Sequence, residues 1–400
     1  MRERLIKVTV LIFLVILFSA GTIYVSRGTK SPEPTGEQIP IAHVEDVDPV
    51  SLSRPLRKFI HFVEQELDST QTVGAAYTIV HDGEVAYTGT YGVLENGKQT
   101  KVDEHTLFRL ASVSKGFAGV LASMLEQDSI FSLNDRVVEH YPGFLLKDSV
   151  NTADLTIRNL LSHTSGLVPY AFDNLVEANQ DIYTIIDRLD EVDISAPPGE
   201  LYGYQNVLFS MLDPIARKTT GIPYQELLEE KIFNPLGMFD ASAGPVDIKR
   251  NPNIAYPHVR TKNGYVALHP HEGYYNVLPA AGVNASISDM GQWLLALLGY
   301  KPDWVSDTVR STIATPVIYT PLKWRYTRYW KPFRERYYSL GWRIYNYQGR
   351  QIVYHGGYIR GYRAEIAFCP SEDVGIAFMQ NSPNNLASRC VPTFMDLFLE

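Results

Sequence analysis

Cysteine is nearly absent, with only Cys369 and Cys390 among 400 residues. No His and acidic pattern accompanies either one, which removes the usual route to a cysteine nucleophile. A site outside the cytoplasm would permit a disulfide between them. If the last strand runs back from Cys369 and a C-terminal helix returns only partway, the two stand too far apart to bridge. Metal ligands are also sparse. Among ten histidines, His269-Pro270-His271 is the one close pair, and with no third ligand indicated it reads as a loop near a site mouth rather than a metal centre. There is no Gly-x-Ser-x-Gly, which excludes the α/β-hydrolase elbow. There is neither a Gly-x-Gly-x-x-Gly nor a P-loop, so nothing points to a nucleotide or other cofactor. Repeats and low-complexity tracts are missing. The net charge of −8 comes with both signs interspersed, and without a clustered basic face nucleic acid is excluded as a partner.

What is present suits a large globular chain. With 45% hydrophobic residues it can bury an extensive core, and its length suggests about two domains. The start stands apart. Arg2, Arg4 and Lys7 precede an uncharged run from Val8 to Ser26, whose 19 residues would span about 28 Å as a helix, close to a ~30 Å hydrocarbon core. Residues 1–26 therefore read as a signal anchor, with a cleavable signal peptide as the competing reading, because the densest apolar part is only the length of a signal-peptide core. In either case the positive N-terminus stays inside, and the rest faces the extracytoplasmic side or periplasm of the cell membrane, or is secreted after cleavage. Residues 27–50, punctuated by Pro32, Pro34, Pro40 and Pro49, read as a flexible linker.

The folded domain is expected over 51–400. Leu52, Leu56, Phe59, Ile60, Val63 and Leu67 form an apolar helix face. Val73 to Val80 and Val85 to Tyr91 flank Asp82-Gly83, a hairpin signal. The region of about 107–300 is mostly helical in pattern, and strands return at Ile352 to His355, Ala364 to Cys369 and Val374 to Met379. Strands at both ends with helices between them predict an α/β fold of the α+β kind: one antiparallel sheet from N- and C-terminal segments, flanked by helices, with a large helical insertion. Leu386 to Leu399 suggests a last helix on that sheet, with Pro392 expected to interrupt or start it.

Ser112-Val113-Ser114-Lys115 opens an amphipathic stretch in which Val113, Phe117, Val120, Leu121, Met124 and Leu125 make one stripe. Three residues apart, Ser112 and Lys115 share a helix face, which brings an amine within reach of a hydroxyl that is a weak nucleophile alone. A helix start also favours developing negative charge. Without other motifs Ser112 would read as a helix cap and Lys115 as a solvated lysine. Downstream, however, come Tyr204-Gln205-Asn206 and then His355-Gly356-Gly357.

Taken together, these residues resemble the serine β-lactamase and penicillin-binding-protein superfamily, in its class C, carboxypeptidase and esterase branch, over roughly residues 55 to 400. Similar wording recurs at Phe108 to Lys115, Leu161-Ser162-His163-Thr164-Ser165-Gly166-Leu167, Pro197-Pro198-Gly199-Glu200, Pro235-Leu236-Gly237-Met238 and Leu340-Gly341-Trp342. The resemblance implies Ser112 as nucleophile and Lys115 with Tyr204 as the proton-handling pair. It further implies Asn206 as a substrate amide contact, His355, Gly356 and Gly357 as a substrate-binding strand edge, and the N–H groups of Ser112 and Tyr358 as the oxyanion hole. Tyr202 is a rival for Tyr204, but only Tyr204 has an Asn two residues on.

Two proton routes stay open. A Lys115 cation at ~4 Å would contribute about 4 kcal/mol to a Tyr204 anion, enough to bring its pKa towards ~7. Alternatively, burial makes Lys115 a neutral base. The expected substrate is a small molecule or peptide: an ester, a D-amino acid peptide or a β-lactam-like amide. The family's antibiotic hydrolases carry Lys-Thr-Gly where this chain has His355-Gly356-Gly357, so a missing cation leans preference towards esters and small peptides, with Arg360 or Arg363 as alternative cations. A second reading is a weakly catalytic, membrane-tethered protein that binds cell-wall peptides. Its support is Pro321 to Arg336, where basic residues alternate with Trp324, Tyr326, Tyr329, Trp330 and Phe333 in a manner suited to headgroups or glycans.

Overall fold

The structure, a computed structural model, describes residues 52–321, 328–333 and 335–399. The expected anchor (1–26) and linker (27–50) lie outside the described residues, as do Lys323, Trp324, Arg325, Tyr326 and Arg334. Among the described residues no helix is long and apolar enough to cross a membrane.

Eight strands form one antiparallel sheet: β1 (Gly74–His81), β2 (Glu84–Gly92), β3 (Ile318–Tyr319), β4 (Glu335–Tyr338), β5 (Arg343–Tyr347), β6 (Arg350–Ile359), β7 (Tyr362–Cys369) and β8 (Val374–Gln380). Their order across the sheet is β2-β1-β8-β7-β6-β5-β4-β3. The N-terminal hairpin turns at Asp82 and Gly83, both at positive φ (50° and 77°), the conformation a two-residue turn needs. It joins the C-terminal strands through pairs from Ala75↔Gln380 to His81↔Val374, so N- and C-terminal segments meet between the second and third of the eight strands.

Four helices cover its two faces: α1 (Arg54–Ser69), α2 (Ser114–Gln127), α3 (Ile287–Leu298) and α4 (Leu386–Phe398). On one face α1 sets Phe59 edge-on to Phe394 of α4 at 5.2 Å, over Ile376 and Phe378 of β8. On the other, Phe117 of α2 stacks on Trp293 of α3 at 4.3 Å, above Ala377 and Met379. Alternate residues of β8 thus enter two different cores, which is why this strand reads as a continuous apolar run. Glycine brings α2 close to the sheet-side segment Leu340-Gly341-Trp342, for a Cβ on Gly119 would lie 2.0 Å from the Leu340 carbonyl oxygen.

The stretch 107–300 consists mainly of short helices. It also holds a small sheet of Phe108–Arg109, Ser242–Ala243 and Val283–Ala285, and a hairpin of His258–Thr261 with Gly264–Ala267. Pro392 does not end the last helix, which continues through it to Phe398, the side chain being buried in the α1/α4 core. Cys369 and Cys390 are both buried and unbridged. The basic and aromatic stretch also departs from its surface reading. Trp330 is buried edge-on to Tyr345 and Tyr347, and Phe333 stacks on Tyr345 at 4.7 Å, so these rings pack beneath the chain instead of facing outward. Lys331 pairs with Asp396 at 3.4 Å.

Candidate active site

Ser112 sits in a 3₁₀ turn, Ala111–Val113, immediately before α2, and neither that turn nor the helix is capped by a side chain. Ser112 is therefore no helix cap. Ala111 holds φ at +48°, a left-handed conformation that costs an alanine of the order of 1–3 kcal/mol. The surroundings enforce it. The Leu110 amide bonds the Val283 carbonyl at 3.0 Å, and the Ser114 hydroxyl accepts from the Val283 amide at 2.9 Å. The turn is thereby fixed to the Val283–Ala285 strand, and the Ser112 hydroxyl is left towards a cavity of about 530 Å³.

Lys115 is fully buried below it. Its Nζ donates to Ser112 Oγ at 3.4 Å, Asn206 Oδ1 at 2.8 Å and the Ala280 carbonyl at 3.0 Å. It also lies 4.7 Å from the ring centre of Tyr204. Burial pushes the Lys115 amine well below its usual range; Asp173 opposes the shift and Arg343 adds to it. Tyr204 completes the group by donating to Ser112 Oγ at 2.9 Å. Burial pushes its phenol upward, with Ser112 and Arg343 only partly offsetting it. Burial disfavours the charged form of each group, while the three acceptors around Nζ, on Ser112, Asn206 and Ala280, match the three donors of an ammonium.

Tyr204 lies on a non-helical stretch whose position comes from the Leu161 to Leu167 segment. His163, with φ +59°, accepts from the Gly203 amide through its carbonyl at 2.8 Å and from the Gln205 amide through Nδ1 at 3.2 Å. Its ring is packed among Tyr202, Tyr204, Phe209 and Tyr338. Tyr202, the rival, lines the cavity but meets Arg343 Nη1 at 3.4 Å instead of the serine.

Asn206 lines the cavity too, but its amide is already engaged: Lys115 holds the oxygen, and Nδ2 donates to both Asp173 oxygens at 3.1 and 2.9 Å. It is a bridge within the protein more than the free substrate contact expected. His355 departs further. It is 1% exposed, its Nε2 bonds the Tyr338 hydroxyl at 3.0 Å, and it does not line the cavity. Burial, reinforced by Arg343 and Lys115, pushes its pKa well below the usual value, so it is neutral at pH 7. His355 shares its face with Gly357 and Ile359 but lies deeper, where the Tyr338 phenol and not a substrate meets its Nε2. Gly357 lets β6 reach the nucleophile, because a Cβ there would lie 2.1 Å from the Leu110 oxygen and 3.0 Å from the Ser112 nitrogen. Gly356 and Tyr358 line the cavity, Tyr358 being 62% exposed. The β6–β7 turn at Arg360-Gly361 makes Ile359↔Tyr362 the closing pair. Tyr358 then falls in the alternate, non-bonded position, with its amide turned away from β7.

Two functional candidates escaped the sequence. Arg343, the residue after Leu340-Gly341-Trp342, lines the cavity and supplies the cation that His355 does not. Position alone marked it, as the first residue of a strand whose start was not recognised. Asp173 also lines the cavity, and burial raises its carboxyl to about 6, against the lowering effects of Asn206 and Lys115. No sequence signal singles it out. Arg363 lines the same cavity but is held by Glu365 at 2.6 Å, whereas Arg360 belongs to a neighbouring cavity of about 660 Å³ with His269 and His271. Among the described residues the one cluster of three potential metal ligands is Asp135, Glu139 and His140, none of which lines either cavity.

A mixed sheet-and-helix fold with a serine on a turn ahead of a buried helix, an amine and a phenol on its hydroxyl, defines the β-lactamase and transpeptidase class of architecture. A solved structure with this fold, the octameric penicillin-binding protein homologue from Pyrococcus abyssi, matches at a TM-score of 0.73 with 22% identity, covering 86% of this chain and 77% of that one. Residues 59–394 match the Beta-lactamase family model, and the chain belongs to that family. Among curated proteins it is 28% identical over 352 residues to an unguisins hydrolase of Aspergillus campestris, covering 81% of this chain and 61% of that protein. It is 26% identical to beta-lactamase-like protein 2 of Dictyostelium discoideum (93% and 66% covered) and 24% identical to protein flp of Staphylococcus aureus (84% and 64%). The chain thus spans about 60–66% of the length of these relatives.

Proposed function

We propose that this protein is a serine hydrolase that forms an acyl-enzyme on Ser112 with an ester or small amide. The observation that carries this reading is the convergence on one hydroxyl of Tyr204 at 2.9 Å and Lys115 at 3.4 Å, at the wall of a cavity of substrate size. Lys115, neutral through burial, takes the Ser112 proton as Oγ bonds the carbonyl carbon. The amides of Ser112 and Tyr358 receive the oxyanion. Tyr204 then protonates the leaving group and is resupplied by the Lys115 ammonium, after which water repeats the sequence and releases the acid. Family membership supports the reaction class, and the Aspergillus relative, an unguisins hydrolase, supports hydrolysis.

The binding-protein alternative loses the part of its support that rested on Trp330 and Phe333, which are packed inward. The same proposal keeps the domain tethered outside the membrane by residues 1–26, the motive being the uncharged run from Val8 to Ser26. The test is covalent labelling with a fluorophosphonate or penicillin probe. Wild type should carry one adduct on Ser112 and Ser112→Ala none; an adduct elsewhere, surviving in the variant, refutes the assignment.

A further inference from the structure

Two opposite charges line the cavity without a direct ion pair of their own. Asp173 lies within 4 Å of no Lys, Arg or His nitrogen among the described residues, and its recorded hydrogen bonds come from the neutral Asn206 amide. Lys115, the nearest candidate cation, is turned to Asn206, Ala280 and Ser112 and reaches Asp173 only through the Asn206 amide. Arg343 is in the mirror situation. It meets the Tyr202 hydroxyl at 3.4 Å and the rings of Tyr338 and Tyr204 at 5.6 and 6.0 Å, with no carboxylate within 4 Å among the described residues. The third charged group of the wall, Arg363, contrasts with both, since Glu365 already satisfies it at 2.6 Å.

A carboxylate and a guanidinium in one half-enclosed space ordinarily pair or turn to bulk water, because an unpartnered ion away from water is costly. Here each is held back by its own neutral contacts, and both line the cavity that Ser112 faces. Asn206 and Asp173 fix one end; the Tyr202 and Tyr338 phenols fix the other. Charge-assisted hydrogen bonds from a ligand would satisfy both at once, a guanidinium taking a carboxylate through two parallel N–H donors and a carboxylate taking an ammonium.

We propose that Asp173 and Arg343 act as a two-ended clamp that selects short zwitterionic peptides with both termini free, Asp173 receiving the ammonium and Arg343 the carboxylate. This specificity rests on the hydrolase reading above, since it is the cavity of Ser112 that is clamped. Modification of either terminus removes one end of the match. An N-acyl peptide leaves the half-buried Asp173 without a cation, and a peptide amide leaves Arg343 without an anion.

The test is binding to the full-length Ser112→Ala protein by calorimetry, so that turnover does not enter. The ligands are alanyl-alanine in L,L and D,D forms, its N-acetyl derivative and its C-terminal amide. The better-bound free dipeptide should bind at least tenfold tighter than either derivative. Adding Asp173→Asn, which keeps the shape and an acceptor for Asn206, should reduce the N-acetyl penalty to under twofold and leave the amide penalty standing. Adding Arg343→Gln should do the reverse. Equal binding of free and blocked dipeptides, no binding of any, or penalties that persist unchanged in the matching variants would overturn the clamp. The comparison of blocked with free ligands on the Asp173, Arg343 protein decides the matter even if a substituted chain melts early. Probe labelling of wild-type Ser112 is read separately: labelling without terminal discrimination keeps the hydrolase and removes the clamp, whereas discrimination without labelling does the opposite.

Discussion

Replacing Lys115 with methionine should slow acylation sharply and at the same time change the pH dependence of stability, in a direction set by burial. The amine is fully buried and its pKa is pushed well down, so in the folded state it sheds its proton at a lower pH than in the unfolded chain. Below the folded-state pKa both states are protonated, and the cost of burying the cation is present in full. Between the two values the unfolded chain holds the extra proton, so stability rises with pH until the unfolded value near ~10.4 is passed. Methionine keeps much of the apolar volume without that charge. Against this, it removes the donors to Asn206 Oδ1 and the Ala280 carbonyl, at about 1–3 kcal/mol for each acceptor left bare. These opposing terms leave the absolute stability near balance, but only the charge term depends on pH. Wild type should therefore gain on Lys115→Met steadily as pH rises, in melting curves taken from about pH 6 to pH 10. For catalysis, loss of the base should cost about 10²- to 10⁴-fold, or about 3 to 5 kcal/mol of barrier. Stopped-flow acylation by p-nitrophenyl acetate should rise with pH in wild type as Lys115 deprotonates, and should lose that limb in the variant. A variant within tenfold of wild type, or with melting differences flat in pH, would refute the buried neutral base.

Tyr204→Phe should cost little with p-nitrophenyl esters, whose leaving group needs no proton, and about 10²-fold or more with an anilide of the same acyl group; equal losses on both would remove the phenol from leaving-group protonation. Gly357→Ala places a Cβ 2.1 Å from the Leu110 oxygen, so the strand must retreat from Ser112, and steady-state kinetics should show at least a 10²-fold fall in kcat. Unchanged kcat would mean that β6 does not set the oxyanion geometry. His355→Lys would force an ammonium beside Arg343 and Lys115 and break the bond to Tyr338, so denaturant titration should record a loss of about 3 to 5 kcal/mol. A variant of normal stability with raised nitrocefin turnover would show instead that position 355 faces substrate.

Much of this architecture was legible because it rests on short-range physics. The face of Leu56, Phe59, Val63 and Leu67, the Asp82-Gly83 turn and the last two strands follow from periodicity and turn chemistry, which neighbouring residues dictate. The meeting of Ser112, Lys115 and Tyr204 followed from motif order within a resemblance. The rest depends on which way a strand faces and how deep a group lies. His355 was read as a substrate contact because its residue type suits a site, yet it lies beneath the surface against Tyr338. The start of β5 at Arg343 was missed because Arg343-Ile344-Tyr345-Asn346-Tyr347 mixes charge and aromatics, and both tyrosines point into packed rings that only the folded sheet supplies. Asp173 was beyond reach, since its role arises from contact with Asn206, far along the chain.

The pairing of β1 with β8 has a consequence for how the chain is made. The Val73 amide bonds the Ser382 hydroxyl, 309 positions away, at 2.8 Å, and β1 has no inner neighbour until β8 has been synthesised. A ribosome emitting this protein therefore delivers α1 and the hairpin first, then the helix that bears Ser112, and the strands that roof it only at the end. Until those last strands arrive, the apolar faces of β1 and α1 have no lasting partner. A nascent chain halted before Gln380 would be a substrate for chaperones and proteases, and esterase activity should appear abruptly with the final segment.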